Sequence, residues 1–170
     1  MEAASPHDLE LRATREMPYP PTRVWAACTS KSSLEQWWSP EDLRTTVRRL
    51  DVHPGGEVWF HVRYVPALLS PSSGEVFRAA RIPISFDLRG RLSEVIVGRS
   101  LTFDLVLDIG KAGAGVSMAT KLELTPLGEG TRVDLVARGK ATPHWTILGQ
   151  QNLATQLERL EHTIASQGRS

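Results

Sequence analysis

The chain has 170 residues and 18.8 kDa, with 20 Lys+Arg against 19 Asp+Glu and a formal net charge of +1. That length fits one domain, large enough to build a core without disulfides or metal, and the balanced charge excludes the basic excess of a dedicated nucleic-acid binder or a polybasic membrane anchor. Cys28 is the only cysteine, which excludes a disulfide framework or a multi-cysteine zinc site within one chain.

Residues 1–7 carry acids and no apolar core, so they read as a disordered terminus rather than a signal peptide. No apolar run approaches the ~20 residues that span a bilayer, and a reducing cytoplasm is the expected setting. The single domain is expected over residues 8–165, with 166–170 as a frayed tail.

In residues 8–17, Leu9, Leu11 and Ala13 alternate with Glu10, Arg12 and Thr14, the period of a half-buried antiparallel strand. Pro18 and Pro20 end it, and Pro21 is well placed to open a short helix through Val24, Trp25 and Cys28. Ser32-Ser33-Leu34-Glu35 fits a capping box, with Ser32 as cap and Glu35 reaching back, for a second short helix that carries Trp37 and Trp38.

Residues 45–52 and 57–64 read as strands around the turn Pro54-Gly55-Gly56. Val58, Phe60, Val62 and Tyr64 share one face of the second, and Trp59, His61 and Arg63 the other. Residues 65–84, with Pro66, Pro71, Gly74, Arg78 and Arg81, make a long excursion, and long loops of this kind are functional or disordered. A strand follows over 84–97 with Phe86, Leu88, Leu92 and Ile96 on one face. Residues 100–108 alternate Leu101, Phe103, Leu105 and Leu107 with polar residues. The last hairpin, 116–126 and 131–138, aligns Met118, Thr120, Leu122 and Leu124 with Val133, Leu135 and Ala137. A long helix over 143–165 closes the chain, with Pro143 in its first turn and an apolar stripe of Trp145, Leu148, Leu153, Leu157, Leu160 and Ile164. At ~1.5 Å per residue it is ~33 Å long.

The expected fold class is α+β: a curved antiparallel sheet of about seven strands wrapped around the long C-terminal helix, with two short helices after the first strand. One helix cannot cover such a sheet from edge to edge, so the space between them is a candidate cavity.

This order resembles the helix-grip fold of the START/SRPBCC superfamily, which includes birch-pollen-allergen-like proteins and polyketide cyclases. The motifs Pro21-Thr22-Arg23-Val24-Trp25, Leu34-Glu35-Gln36-Trp37-Trp38-Ser39-Pro40 and Pro54-Gly55-Gly56 resemble the branch named for the activator of the heat-shock-protein ATPase. Gly90-Arg91-Leu92-Ser93-Glu94-Val95, then Leu101-Thr102-Phe103, and the helix opening on Trp145 extend the resemblance across roughly residues 8–165. It implies a hydrophobic or aromatic small molecule bound in an internal cavity, a lipid among the candidates. The other implied readings are a cofactor-independent, polyketide cyclase/aromatase-like or hydrolase-like enzyme using that cavity, and a chaperone ATPase modulator.

The expected ligand-binding wall takes Trp38 from the second helix, and Phe60, Val62 and Tyr64 from the first hairpin. Leu88 and Leu92 come from the following strand, and Phe103 and Leu105 from the next. Met118, Thr120 and Leu122 join them from the last hairpin, and Trp145, Leu148 and Asn152 from the long helix. The same side chains could instead simply fill a core. Tyr64, Thr120, Gln151 and Asn152 are candidate hydrogen-bonders.

Glu94 is the one candidate catalytic residue. By strand parity it shares the apolar face with Leu92 and Ile96, where desolvation favours the neutral acid that proton transfer needs; a bulge would instead put it at the rim. Arg15 ends an inward row, where it meets an acidic ligand group or pairs with Glu94. Asp87, Asp104 and Asp108 fall on the outer face, as do His61 and Arg63 unless the register slips by one. His144 lies at the expected mouth, between residues 65–84, the glycine-rich 110–115 loop and the start of the long helix. Trp25 and Cys28 read as packing residues. The 110–115 loop lacks the Lys-Ser/Thr of a phosphate loop, the histidines are scattered, and no metal or cofactor is expected. Expected partners are the small molecule and, at residues 65–84, either a lid or a homodimer contact.

Overall fold

The alternation read from the sequence becomes one seven-stranded sheet in a computed structural model, which describes residues 6–40, 43–65, 85–108 and 116–167, apart from the His144 side chain. The elements are β1 (His7–Met17), α1 (Pro21–Thr29), α2 (Lys31–Trp37), β2 (Leu43–Leu50) and β3 (Glu57–Tyr64), then β4 (Ser85–Ile96), β5 (Ser100–Asp108), β6 (Ser117–Leu127), β7 (Gly130–Ala141) and α3 (Pro143–Gln167). The strands run in the order β1-β7-β6-β5-β4-β3-β2, and every neighbouring pair is antiparallel. From β2 to β7 the chain thus meanders, and β1 adds to the far edge against β7. This is the helix-grip arrangement expected from the element order.

Period-two burial sets which face is inside. Val58, Phe60 and Val62 in β3 and Phe103, Leu105 and Leu107 in β5 are buried, while Asp104, Val106 and Asp108 between them are exposed. α3 lies on the inner face and packs against β1, β7, α1 and α2. Its stripe of Leu153, Leu157, Leu160 and Ile164 joins the main core with Val24, Leu34, Trp37, Phe60 and Phe103. A second, smaller cluster of Val62, Phe86, Leu107 and Val116 is flanked by Trp145 and Leu148.

The short helices are built differently from the sequence expectation at one end. α1 starts on Pro21 after Pro20, which lacks a side chain to cap it. α2 is capped by Ser30, whose hydroxyl accepts from the Ser33 N–H at 3.4 Å, rather than by Ser32. Glu35 does not reach back to complete a capping box. Its carboxylate accepts from the Val47 backbone N–H at 2.9 Å and so ties α2 to β2.

The turn before β3 is as expected, with Gly55 at φ +81° supplying the left-handed conformation that a side chain resists. On the outer face, His61 Nδ1 lies 2.7 Å from an Asp87 carboxylate oxygen. The Arg89 guanidinium stacks 3.9 Å from the Trp59 ring centroid. Trp59 Nε1 is close enough to Asp87 to favour its ionised form without meeting hydrogen-bond geometry. Among the described residues no helix is long and apolar enough to cross a membrane, and no cluster of His, Cys, Asp and Glu forms a metal site.

Candidate functional site

A cavity of about 340 Å³ lies between the inner face of the sheet and the N-terminal half of α3. It exists because α3 meets the sheet closely only where Leu153, Leu157 and Leu160 enter the main core, while Trp145 and Leu148 stay half-buried at the other end. The floor is built by inward residues of successive strands: Leu11, Val62, Phe86, Leu88, Leu105, Leu107, Met118, Thr120 and Ala137. Trp38, Ser39 and Pro40 close one side from the end of α2, and Trp145, Leu148, Gly149, Asn152 and Gln156 form the roof. Phe86 meets Trp145 edge-on at 5.4 Å between ring centroids, joining floor and roof.

Nine of the residues expected to line a cavity do so: Trp38, Val62, Leu88, Leu105, Met118, Thr120, Trp145, Leu148 and Asn152; Gln151 joins them. Phe60, Leu92, Phe103 and Leu122 do not. They share the inward parity but sit at most 1% exposed in the main core. Trp38 explains two of these, because its ring packs on Phe60 at 5.0 Å and on Phe103 at 4.9 Å, so both stand in the layer behind it. Tyr64 also stays off the wall and packs against the second cluster. Trp37, next to Trp38, is fully buried, with its Nε1–H donating to the Ala27 carbonyl at 2.9 Å.

Glu94 is not in the cavity. The pairing of β4 with β5 shifts between Leu92 and Glu94, so Ser93 is an extra residue and Val95, rather than Glu94, returns to the inner side opposite Leu101. Glu94 faces outward, where Ser100 Oγ donates to it at 2.7 Å and Lys121 Nζ lies at 3.3 Å. The Ser100 hydroxyl and the Lys121 ammonium hold its carboxyl below the usual range, opposite to the raised pKa that an acid catalyst in an apolar pocket would have. Arg15 does not pair with Glu94 and is not among the cavity-lining residues; its Nε donates to Glu161 of α3 at 2.5 Å. The described lining residues include no carboxylate, imidazole, amine or guanidinium. The expected mouth falls largely on 66–84, 109–115 and the His144 side chain, outside the described residues.

Gln156 was not foreseen. It lies four residues after Asn152 and three after Leu153, so the same helical face carries it, but a glutamine in that stripe gives no signal of burial. It is 3% exposed. Its Nε2 donates to the Trp38 carbonyl at 3.1 Å, and Asn152 Nδ2 donates to the same oxygen at 3.3 Å. Arg159 reaches past them to the Trp37 carbonyl at 3.2 Å. The carbonyls left open at the end of α2 are thus satisfied by α3.

Several solved structures share the fold. A protein from Chromobacterium violaceum is 22% identical, with a TM-score of 0.69, 91% of this chain and 96% of that chain being covered. One from Nitrosomonas europaea is also 22% identical, with a TM-score of 0.69 and 95% and 97% covered. An AHSA1-like protein from Aeromonas hydrophila is 17% identical, with a TM-score of 0.63 and 94% of each chain covered. No curated protein matches the sequence. The profile of the family described as Activator of Hsp90 ATPase homolog 1-like protein matches residues 18–165, which contain both short helices, six of the seven strands and nearly all of the long helix. The chain therefore belongs to the Activator of Hsp90 ATPase homolog 1-like family.

Proposed function

We propose that this protein binds a hydrophobic or aromatic small molecule in the cavity between the sheet and α3. The observation that carries this reading is the lining itself: about 340 Å³ of space, walled mostly by aliphatic and aromatic side chains. That volume is at the lower end of the roughly 300–1,000 Å³ of small-molecule sites. Each methylene moved from water into such a wall contributes ~0.8 kcal/mol, so a ligand of two or three rings needs few polar anchors. A proton-moving role for Glu94 loses its geometric basis once the bulge turns it outward.

Native mass spectrometry of freshly purified protein, followed by extraction and identification of any released compound, tests this reading. A co-purifying apolar or aromatic compound supports it, provided that analogues raise the melting temperature. Ala137→Phe, which fills the floor, should remove both the compound and the shift while the protein stays folded. An empty protein that no lipid, flavonoid or polyketide stabilises would sink the idea and turn attention to protein partners, such as the ATPase in the family's name.

A further inference from the structure

The polar atoms around the cavity are not equally committed. The Ser39 hydroxyl shares a hydrogen bond with the Thr45 hydroxyl at 2.5 Å. Asn152 uses both ends of its carboxamide, Nδ2 on the Trp38 carbonyl and Oδ1 on the Arg159 guanidinium. Gln156 uses one end only, Nε2 on that same carbonyl. The orientation of both amides is forced, because a carbonyl only accepts and a guanidinium only donates. Gln156 Oε1 is therefore left over, and it accepts from no described residue although the residue is 3% exposed. Thr120 on β6 is in the same position: it is 7% exposed, lines the same cavity, and its hydroxyl bonds to no described residue.

Buried polar groups are nearly always paired. Among the described side chains, the one unpaired polar atom shut away from all open space is Trp59 Nε1. Gln156 Oε1 and Thr120 Oγ1 thus face open space, and the space both residues line is the cavity. No charged side chain stands among the described lining residues to balance an ionised ligand, and an unpaired charge there would be strongly disfavoured.

Resting on the cavity as the ligand site, we infer that it selects an uncharged, largely apolar molecule bearing a hydroxyl group, which donates to Gln156 Oε1, with the Thr120 hydroxyl meeting a polar atom of the same ligand. Gln156 is then the specificity-determining residue. A site that offers a buried acceptor discriminates against an analogue that lacks the donor, because the acceptor is left unpaired.

Equilibrium dialysis with three probes tests this: 2-naphthol, its methyl ether, and 2-naphthoate. The expected result is that 2-naphthol binds about tenfold tighter than the ether, the scale of one hydrogen bond to a buried group, and that 2-naphthoate binds weakest. Gln156→Met, which removes the acceptor, should bring 2-naphthol and the ether to within about threefold of each other. Thr120→Val, which keeps the shape and removes the hydroxyl, should weaken 2-naphthol and the ether alike, because the oxygen of each can accept from it, without disturbing the Trp38 contact. Equal binding of 2-naphthol and the ether to the wild type, a preference that survives Gln156→Met, or tightest binding of 2-naphthoate would each overturn the inference while leaving the cavity reading intact. Binding of none of the three would count against the cavity reading itself, and this inference with it.

Discussion

Cys28 shows how far a single residue can be judged from its neighbours alone. Sequence reads it, beside Trp25 in a short helix, as a packing residue; it is 1% exposed, and burial pushes the thiol up to about 12. The thiolate is the reactive form, so iodoacetamide at pH 8 should leave the native protein unmodified and label it only as fast as it unfolds. Rapid labelling under native conditions would contradict the packing of α1. Asp87 gives a second test. Burial pushes its carboxyl up, but the His61 hydrogen bond and the neighbouring Trp59, with the charges of His61 and Arg89, outweigh it and hold the group below the usual range. A carboxylate depressed in the folded state contributes stability that is present above its unfolded pKa and lost as pH falls through the folded value. Asp87→Asn should therefore cost about 0.2–1 kcal/mol at neutral pH and make the acid limb of the unfolding curve shallower below pH ~4. An unchanged acid limb would show that the pair is not held in solution. Glu94 was the residue that sequence could not place. Strict alternation puts it inside, and only the extra residue at Ser93 reverses the parity. A bulge depends on how two strands pair, which one strand read by itself does not record.

At the scale of elements, the strands were legible because each has one wet face and one dry face. The β3 and β5 bounds follow the alternation, and Pro54-Gly55-Gly56 marks the turn between β2 and β3. The start of α2 was less legible: three serines within four residues, Ser30, Ser32 and Ser33, offer more than one cap, and the choice of Ser30 goes with the use of Glu35 to hold β2. Gly90 interrupts the inward row of β4 between Leu88 and Leu92, and a Cβ there would stand 1.8 Å from the Asp104 carbonyl oxygen. The two strands approach too closely for a side chain at that point. Gly90→Ala should lower stability by about 1–3 kcal/mol, measured by denaturant titration, since the obstacle is backbone and cannot rotate away. A neutral result would mean that β4 and β5 part easily.

For the whole molecule, the grip topology could be argued from proportion: a sheet of seven strands and one long helix leave room between them. The size of that room could not. Which inward residues line it is decided by Trp38, whose ring takes the place that Phe60 and Phe103 would otherwise face, and by Gln156, whose burial follows from reaching a carbonyl 118 residues away in sequence. Both are long-range facts, set when α2 and α3 meet.

The shared Trp38 carbonyl divides α3 in two. Beyond Asn152 the helix is tied to α2 and sunk in the main core through Leu153, Leu157, Leu160 and Ile164; before it, Trp145 and Leu148 span the cavity. One continuous helix therefore carries two local stabilities, since few buried contacts mean easier local opening. Amide hydrogens over 147–151 should exchange with deuterium faster than those over 157–164, and a bound molecule should slow the first group while leaving the second unchanged. Uniform exchange along the helix would mean that it opens as one unit. With the gradient, the half of the helix that covers the ligand is also the half that can let it in, with the other half acting as the fixed jaw of a clamp.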